Sequence, residues 1–344
     1  MPVSFASRLF SSSDSEPGPC GDGPEISIGG QALMEGVMMR YGDRLALAVR
    51  RPAGDIVAEC KPWFTIQRRG LLKKPWINGF MVLIETLVNG VKALNRSATF
   101  AAETKDGESG DLKPWQLMLT MVAAIAFAIG LFVVLPHLFS VFMQWLGVSG
   151  GVEGLSFHFW DGAFKFCIFL GYVSAISLLP DIRRVFQYHG AEHKVIHTYE
   201  GQGVVSPAAA ALTSRLHPRC GTTFLLFVLS IAILMHVLLL PLLLVVWTPQ
   251  NAVYKHAVVI TLKLLLMAPI SALAYEAIRL GARLDDNFFG KIMLAPGLLL
   301  QMLTTREPDR KQIEVALVSL CEALKSGNEH EQVEVITPPY TVLK

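Results

Sequence analysis

The sequence predicts a mainly α integral membrane protein, with about four transmembrane helices, interfacial amphipathic helices and a small N-terminal cytoplasmic part built on a β-hairpin. Three observations carry that expectation. Of 344 residues, 52% are hydrophobic and only 17% charged, with a mean hydropathy of +0.44, a balance suited to a chain partly buried in lipid. Residues 115–151 contain no charged side chain. Lys and Arg are dense in alternate connections between the apolar runs, as positive charge retained on the cytoplasmic side places them. A net charge of +2, without a long basic block, gives no argument for a nucleic-acid partner.

In chain order, residues 1–27 combine Ser, Pro and Gly with acidic residues and lack the apolar core of a signal peptide, so a flexible tail is expected. A cytoplasmic or interfacial region follows over 28–112. Within it, residues 44–51 read as a strand, Pro52-Ala53-Gly54-Asp55 as a turn, and 56–61 as a returning strand. Residues 80–100 have apolar side chains at helical spacing with Glu85, Lys92 and Arg96 elsewhere, the pattern of an interfacial helix. The spans occupy 113–280. Residues 118–135 form the first, long enough at about 1.5 Å per residue, with Pro136 and His137 marking its far end. Residues 166–180, edged by Lys165 and Asp181, are a shorter and weaker second. Residues 222–246 form the third. Residues 257–277 form the fourth, with Lys263 about two turns inside it and Glu276 at its inner end. In 281–325, residues 292–303 contain Pro296-Gly297 and are too short and broken to span, so a surface-lying or re-entrant segment is expected. Residues 307–325 place Ile313, Leu317, Leu320, Cys321 and Leu324 on one face of an amphipathic helix that docks on the cytoplasmic part. The tail 326–344, with Pro338-Pro339, is expected to be loose.

Orientation follows from the cations. Arg68, Arg69, Lys73, Lys74, Lys92 and Arg96 precede the first span, while 137–163 has neither Lys nor Arg before its last residue and none at it. The loop 181–221 has Arg183, Arg184, Lys194, Arg215 and Arg219; the next connection has only Lys255; the last region has Arg279, Arg283, Lys291, Arg306, Arg310 and Lys311. Both termini and the loop 181–221 are therefore expected in the cytoplasm. The five cysteines, Cys20, Cys60, Cys167, Cys220 and Cys321, are scattered and include no CxxC, which argues against a disulfide scaffold.

The loop 181–221 carries the chemistry. If 182–200 is helical, steps of 100° put His189, His193, His197, Glu192 and Glu200 within an arc of roughly 140°. His189-Gly-Ala-Glu192-His193 also matches the H-x-x-E-H string of the inverted zinc metallopeptidases, where both His hold zinc and Glu is the general base. Three fixed positions in five are weakly specific, and the soluble fold of those enzymes is absent. The geometry is the useful part: two His at i and i+4 hold one ion, zinc by ligand type, with His217, Cys220 or His197 completing the set. Asp285, Asp286 and Glu276 are remoter candidates. The bland alternative is a set of interfacial, hydrogen-bonded histidines. Arg183, Arg184, Arg215 and Arg219 read most simply as anchors for anionic headgroups, with an anion clamp as the sharper alternative.

Four strings carry a resemblance: Ile28-Gly29-Gly30-Gln31-Ala32-Leu33-Met34-Glu35-Gly36-Val37-Met38-Met39-Arg40; Tyr188-His189-Gly190-Ala191-Glu192-His193-Lys194; Arg215-Leu216-His217-Pro218-Arg219-Cys220-Gly221-Thr222; and Pro296-Gly297 through Gln301 to Thr304-Thr305-Arg306-Glu307-Pro308. In this order they are similar to the YqhQ family, bacterial membrane proteins with a domain of unknown function, often labelled predicted metal-dependent enzymes. The resemblance covers most of 28–324. It implies a multi-pass protein of the bacterial cytoplasmic (inner) membrane and a divalent metal, and it transfers no catalytic residue. With Glu192 activating water beside the metal, the location suggests a hydrolase of a lipid-linked or membrane-protein substrate, its constant partner the lipid bilayer. In the first string, Glu35 is either a ligand or proton carrier, with Arg40 an anion partner, or both are structural and pair with each other or with the basic loop. A scaffold or assembly factor with a structural metal is the alternative to an enzyme. A transporter, using bundle residues such as Lys263 and His236, is the third.

Overall fold

The computed structural model describes residues 28–66, 75–102, 114–201, 204–246, 249–283, 288–325 and 335–343. The expected tail 1–27, the basic residues Arg68, Arg69, Lys73 and Lys74, and the candidates Asp285 and Asp286 lie outside these. β1 (Gly29–Leu33), β2 (Gly36–Tyr41), β3 (Arg44–Arg50) and β4 (Ile56–Pro62) form an antiparallel meander, so the expected hairpin is two strands of a larger sheet. Side-chain alternation sorts its two faces. Leu33, Met38, Leu45, Leu47, Val49 and Val57 pack on one side with Ala93 and Phe100 of α1 (Pro75–Ala102). Val37, Met39, Ala46, Ala48 and Ala58 pack on the other against α5 (Pro180–Glu200) and α11 (Arg310–Leu324). The small side chains of this second face admit α11 closely enough for Ser319 Oγ to donate to the Ala46 carbonyl at 3.1 Å.

Two expectations about the C-terminal region are corrected. α11 starts at a capping box, with Asp309 accepting from Gln312 N–H and Gln312 reaching back to Asp309 N–H. It is buried on nearly every side rather than on one, including Gln312, Ser319 and Glu322. It lies between the sheet and α5, and the tail adds to that cover. Residues 341–343 form β5 (Thr341–Leu343), parallel to β4 and last in the order β1-β2-β3-β4-β5, and Tyr340 Oη donates to Glu322 Oε1 at 2.6 Å. The described part of the tail is thus paired and covers α11; residues 326–334 are outside the described set.

Among the described residues, four helices are long and apolar enough to cross a membrane: Met118–Trp145, Leu155–Ile176, Gly221–Val246 and Ala252–Ile278. The first does not end at Pro136. α2 (Pro114–Ile129) passes through one π turn at Gly130–Val134 into α3 (Leu135–Trp145), where Pro136 sits in the first turn. The wider π turn takes up the carbonyl that a proline four residues on cannot satisfy and its ring would crowd. The second, α4 (Leu155–Ile176), begins well before 166 and takes in Asp161 and Lys165. These charges do not end the helix because they are buried against each other, with Lys165 Nζ 3.2 Å from Asp161 Oδ2. Pro180 opens α5 instead of closing a span. α7 (Gly221–Val246) matches expectation. The fourth is interrupted by one turn residue, Leu266, between α8 (Ala252–Leu265) and α9 (Met267–Arg283), three residues before Pro269, which lacks a helical donor. Finally, α10 (Phe288–Thr304) runs unbroken through Pro296. Gly297 explains its fit: a Cβ there would lie 2.4 Å from Thr223 of α7.

A candidate histidine and cysteine metal centre

α5 is the helix that the spacing of its histidines required, and it brings the expected face together. His189 Nε2 lies 3.2 Å from Cys220 Sγ. His189, His193 and Cys220 each offer a ligand atom within 4.8 Å of the others. A tetrahedral zinc with bonds of about 2.0 Å to nitrogen and 2.3 Å to sulfur needs its ligand atoms roughly 3.5 Å apart. Small rotations of side chains close that difference.

The other nitrogens of the rings decide which atoms are free to ligate. His189 Nδ1 is 2.8 Å from the Thr304 carbonyl, and His193 Nδ1 is 2.6 Å from the Arg215 carbonyl. A carbonyl only accepts, so both Nδ1 atoms carry the proton and both Nε2 lone pairs remain for a ligand. Metal-bound histidines are held in this way by their outer partners. His197 makes the same bond to the Ser214 carbonyl at 2.9 Å.

The electrostatics agree with a ligand set. Burial pushes the Cys220 thiol up, but its contacts with His193 and Thr222 outweigh that and hold its pKa below the usual thiol value. Burial holds His193 below the ordinary imidazole range and therefore neutral. Glu192 is pushed up to about 8 by burial, against a lowering influence of His189. Its Oε2 is buried without a hydrogen-bond partner, a costly arrangement unless something else engages it.

Every string that carried the resemblance converges here. From the first string, Gly30 lies so close to Glu192 that a Cβ would come within 2.5 Å of Oε1. From the fourth, the chain at 304–308 crosses α5 where Gly190 lacks a side chain; a Cβ there would meet the Arg306 carbonyl at 2.1 Å. Gln301 pins the third string, accepting from His217 N–H and donating to its carbonyl, both at 2.8 Å. Arg215 donates to Thr305 O and Oγ1 at 2.6 Å, and buried Lys194 pairs with Glu307 at 2.6 Å. The positioning roles of Gln301, Thr304, Lys194 and Gly30 have no signal in residue type; only their place in the shared strings marks them.

Other candidates are placed elsewhere. His217 uses both ring nitrogens, Nε2 on Glu200 at 3.2 Å and Nδ1 accepting from Arg219 N–H at 3.3 Å, and Arg219 also pairs with Glu200. Glu35 occupies the β1–β2 turn at φ 53° and pairs with Arg184, with Tyr188 Oη 3.2 Å away. It lines a cavity of about 410 Å³ with Arg50, Arg51, Arg184 and Lys311. Arg40 lies 4.1 Å over the Trp63 ring and donates to the Gly42 carbonyl at 2.9 Å. Glu276 is not part of the His189, His193 and Cys220 group.

Fold and site together define a class: a mostly helical chain with four helices of membrane-crossing length, a five-stranded sheet, and a histidine and cysteine cluster at the start of α7. Residues 74–326 match the family described as a protein of unknown function, DUF1385, and the chain belongs to that family. It is 31% identical over 316 residues to the uncharacterized protein YqhQ of Bacillus subtilis (strain 168), covering 89% of this chain and 95% of that relative. No solved structure matches it.

Proposed function

We propose that this chain is a multi-pass protein of the bacterial cytoplasmic membrane that binds a transition metal, zinc by ligand type, and acts as a metal-dependent hydrolase on a lipid-linked or membrane-protein substrate. His189, His193 and Cys220 are the ligands, and Glu192 is the base. The observation that carries the reading is the pair of Nδ1 bonds to Thr304 and Arg215, which fixes both imidazoles with their Nε2 lone pairs free beside a thiol. Three protein ligands leave one tetrahedral position for solvent or substrate, the arrangement of catalytic rather than structural zinc. Burial pushes the Glu192 carboxyl up to about 8; a cation held beside it would favour its ionised form, and Glu192 would then serve as the base for a water. Cys220 immediately precedes a helix of membrane-crossing length, which supports a substrate at a lipid surface.

Metal analysis of the purified full chain tests the first step. About one equivalent is expected, retained in Glu192→Gln and lost in Cys220→Ser and in His193→Ala; a folded wild type without metal sinks the proposal. A second reading, a structural metal in a scaffold or assembly factor, is favoured by burial, since His193 and Cys220 are 2% and 7% exposed. Cobalt substitution separates the two. Azide shifts the visible bands of an open site and leaves a closed four-ligand site unchanged.

A further inference from the structure

Seven ionisable side chains from the four membrane-length helices meet away from the metal ligands. Asp161 is fully buried and bridges two lysines: Lys263 donates to Oδ1 at 2.6 Å and Lys165 to Oδ2 at 3.2 Å. Lys263 is 0% exposed and Lys165 4%. Each ammonium also reaches an imidazole. Lys263 Nζ is 3.2 Å from His137 Nδ1, and Lys165 Nζ is 3.2 Å from His236 Nδ1. An ammonium only donates, so both Nδ1 atoms accept and both rings carry their proton on Nε2. His137 Nε2 therefore donates to His256 Nδ1, 3.0 Å away.

His256 is the one member of this chain at an edge. It is partly exposed, in the first turn and a half of α8, beside the ion pair of Lys255 with Glu153. α8 follows the end of α7, so this edge lies at the opposite end of α7 from Cys220. The result is a polarised series, Lys263 to His137 to His256, in which each group can both receive and release a proton. The remaining atoms do not close as a purely structural cluster would. His236 Nε2 and His158 Nδ1 are buried without partners, while His158 Nε2 donates to the Val152 carbonyl at 2.9 Å. Two ammonium groups also share a single carboxylate, an excess of buried positive charge that losing one proton relieves.

We propose that Lys263 and Asp161 form a one-sided proton-binding centre inside the bundle, in exchange with water at His256 by way of His137. Unloading balances without a co-reactant. Lys263 gives a proton to His137 Nδ1, His137 passes its Nε2 proton to His256 Nδ1, and His256 releases its own Nε2 proton to water. Lys263 is left as an amine beside Asp161, and the charge of the cluster falls by one. Loading is the reverse. Lys165, His158 and His236 face the same carboxylate and set its field, and Glu153 and Lys255 flank the exit.

Exchange of the Lys263 side-chain protons reads this path. The full chain is labelled with ¹⁵N-lysine, placed in detergent micelles, transferred to D₂O and followed by NMR, with Lys263→Met identifying the signal. Exchange is expected to slow by about ten-fold or more in His137→Phe and in His256→Gln, whose amide cannot relay a proton, and to be unchanged in His236→Phe. His256→Gln lies at the rim, so it remains informative if His137→Phe does not fold. Equal rates in wild type and His256→Gln overturn the proposal. So does a wild-type Lys263 that exchanges no faster than the backbone amides of α8 around it.

Discussion

The two buried polar clusters use the same residue, histidine, in opposite ways. At the start of α7, His189 and His193 donate Nδ1 protons to the carbonyls of Thr304 and Arg215, so their lone pairs point at Cys220. Inside the bundle, His137 and His236 accept on Nδ1 from Lys263 and Lys165, so there the lone pair is the one on Nδ1, it is occupied, and the proton sits on Nε2. The partner of one nitrogen decides what the other can do. Backbone carbonyls make an imidazole a ligand, while ammonium groups make it a proton carrier and exclude a cation. Counting histidines does not separate the two; following each ring's hydrogen bonds does.

Four changes break or sharpen that contrast. The largest effect is expected from Asp161→Ala, which leaves two buried ammonium groups without a counter-ion and lowers stability by about 3–5 kcal/mol. Denaturant unfolding in detergent measures it, and an unchanged midpoint would mean the lysines are already neutral. Next, His189→Ala removes a ligand and weakens metal binding by more than about 100-fold, close to 3 kcal/mol, whereas His236→Phe leaves metal content alone; competition with a chelator distinguishes them. Gln301→Ala frees the segment that carries His217 and Cys220 and is expected to weaken the metal by about ten-fold with the helices intact. Metal titration alongside circular dichroism tells this positioning role from unfolding.

The smallest effect lies in the sheet. Burial raises the Glu59 carboxyl, but hydrogen bonds from Lys61 and Arg96 outweigh it and hold the pKa below the usual range. With a lowered folded value, its contribution is present above the unfolded pKa and fades as the pH drops through the folded one. Both cations are substantially exposed, so the contribution is below about 1 kcal/mol. Glu59→Gln should lower stability slightly at neutral pH and leave it nearly unchanged below the folded pKa, flattening the acid limb of thermal stability; a parallel shift at all pH values contradicts this.

Much of this was legible in the residues. Apolar runs gave four helices, and 100° steps gathered His189 and His193 on one face of α5. Cys220 was among the candidates for the third ligand, but nothing in the sequence chose it over His217. That choice depends on Glu200, Arg219 and Gln301, which hold His217 from three directions. The boundaries that differ from the sequence pattern share one cause: residue type shows local chemistry without its partner. Lys165 looked like the edge of a span because Asp161 and His236 were not beside it on paper. Pro136 looked like a stop because a π turn upstream leaves no mark in composition. Residues 341–343 looked loose because three residues are too few to show a period, and their partner β4 lies far back in the chain.

That last pairing has a consequence for how the protein is made. The sheet begins with Gly29 and is completed when Thr341 reaches Val57, and one of its faces is covered by α5 and α11. The ribosome therefore delivers the first four strands early, while every helix of membrane-crossing length and the last strand are still to come. The alanine-rich face of the meander must wait until the first two of those helices have been made before α5 can cover it, and until all four have been made before α11 can.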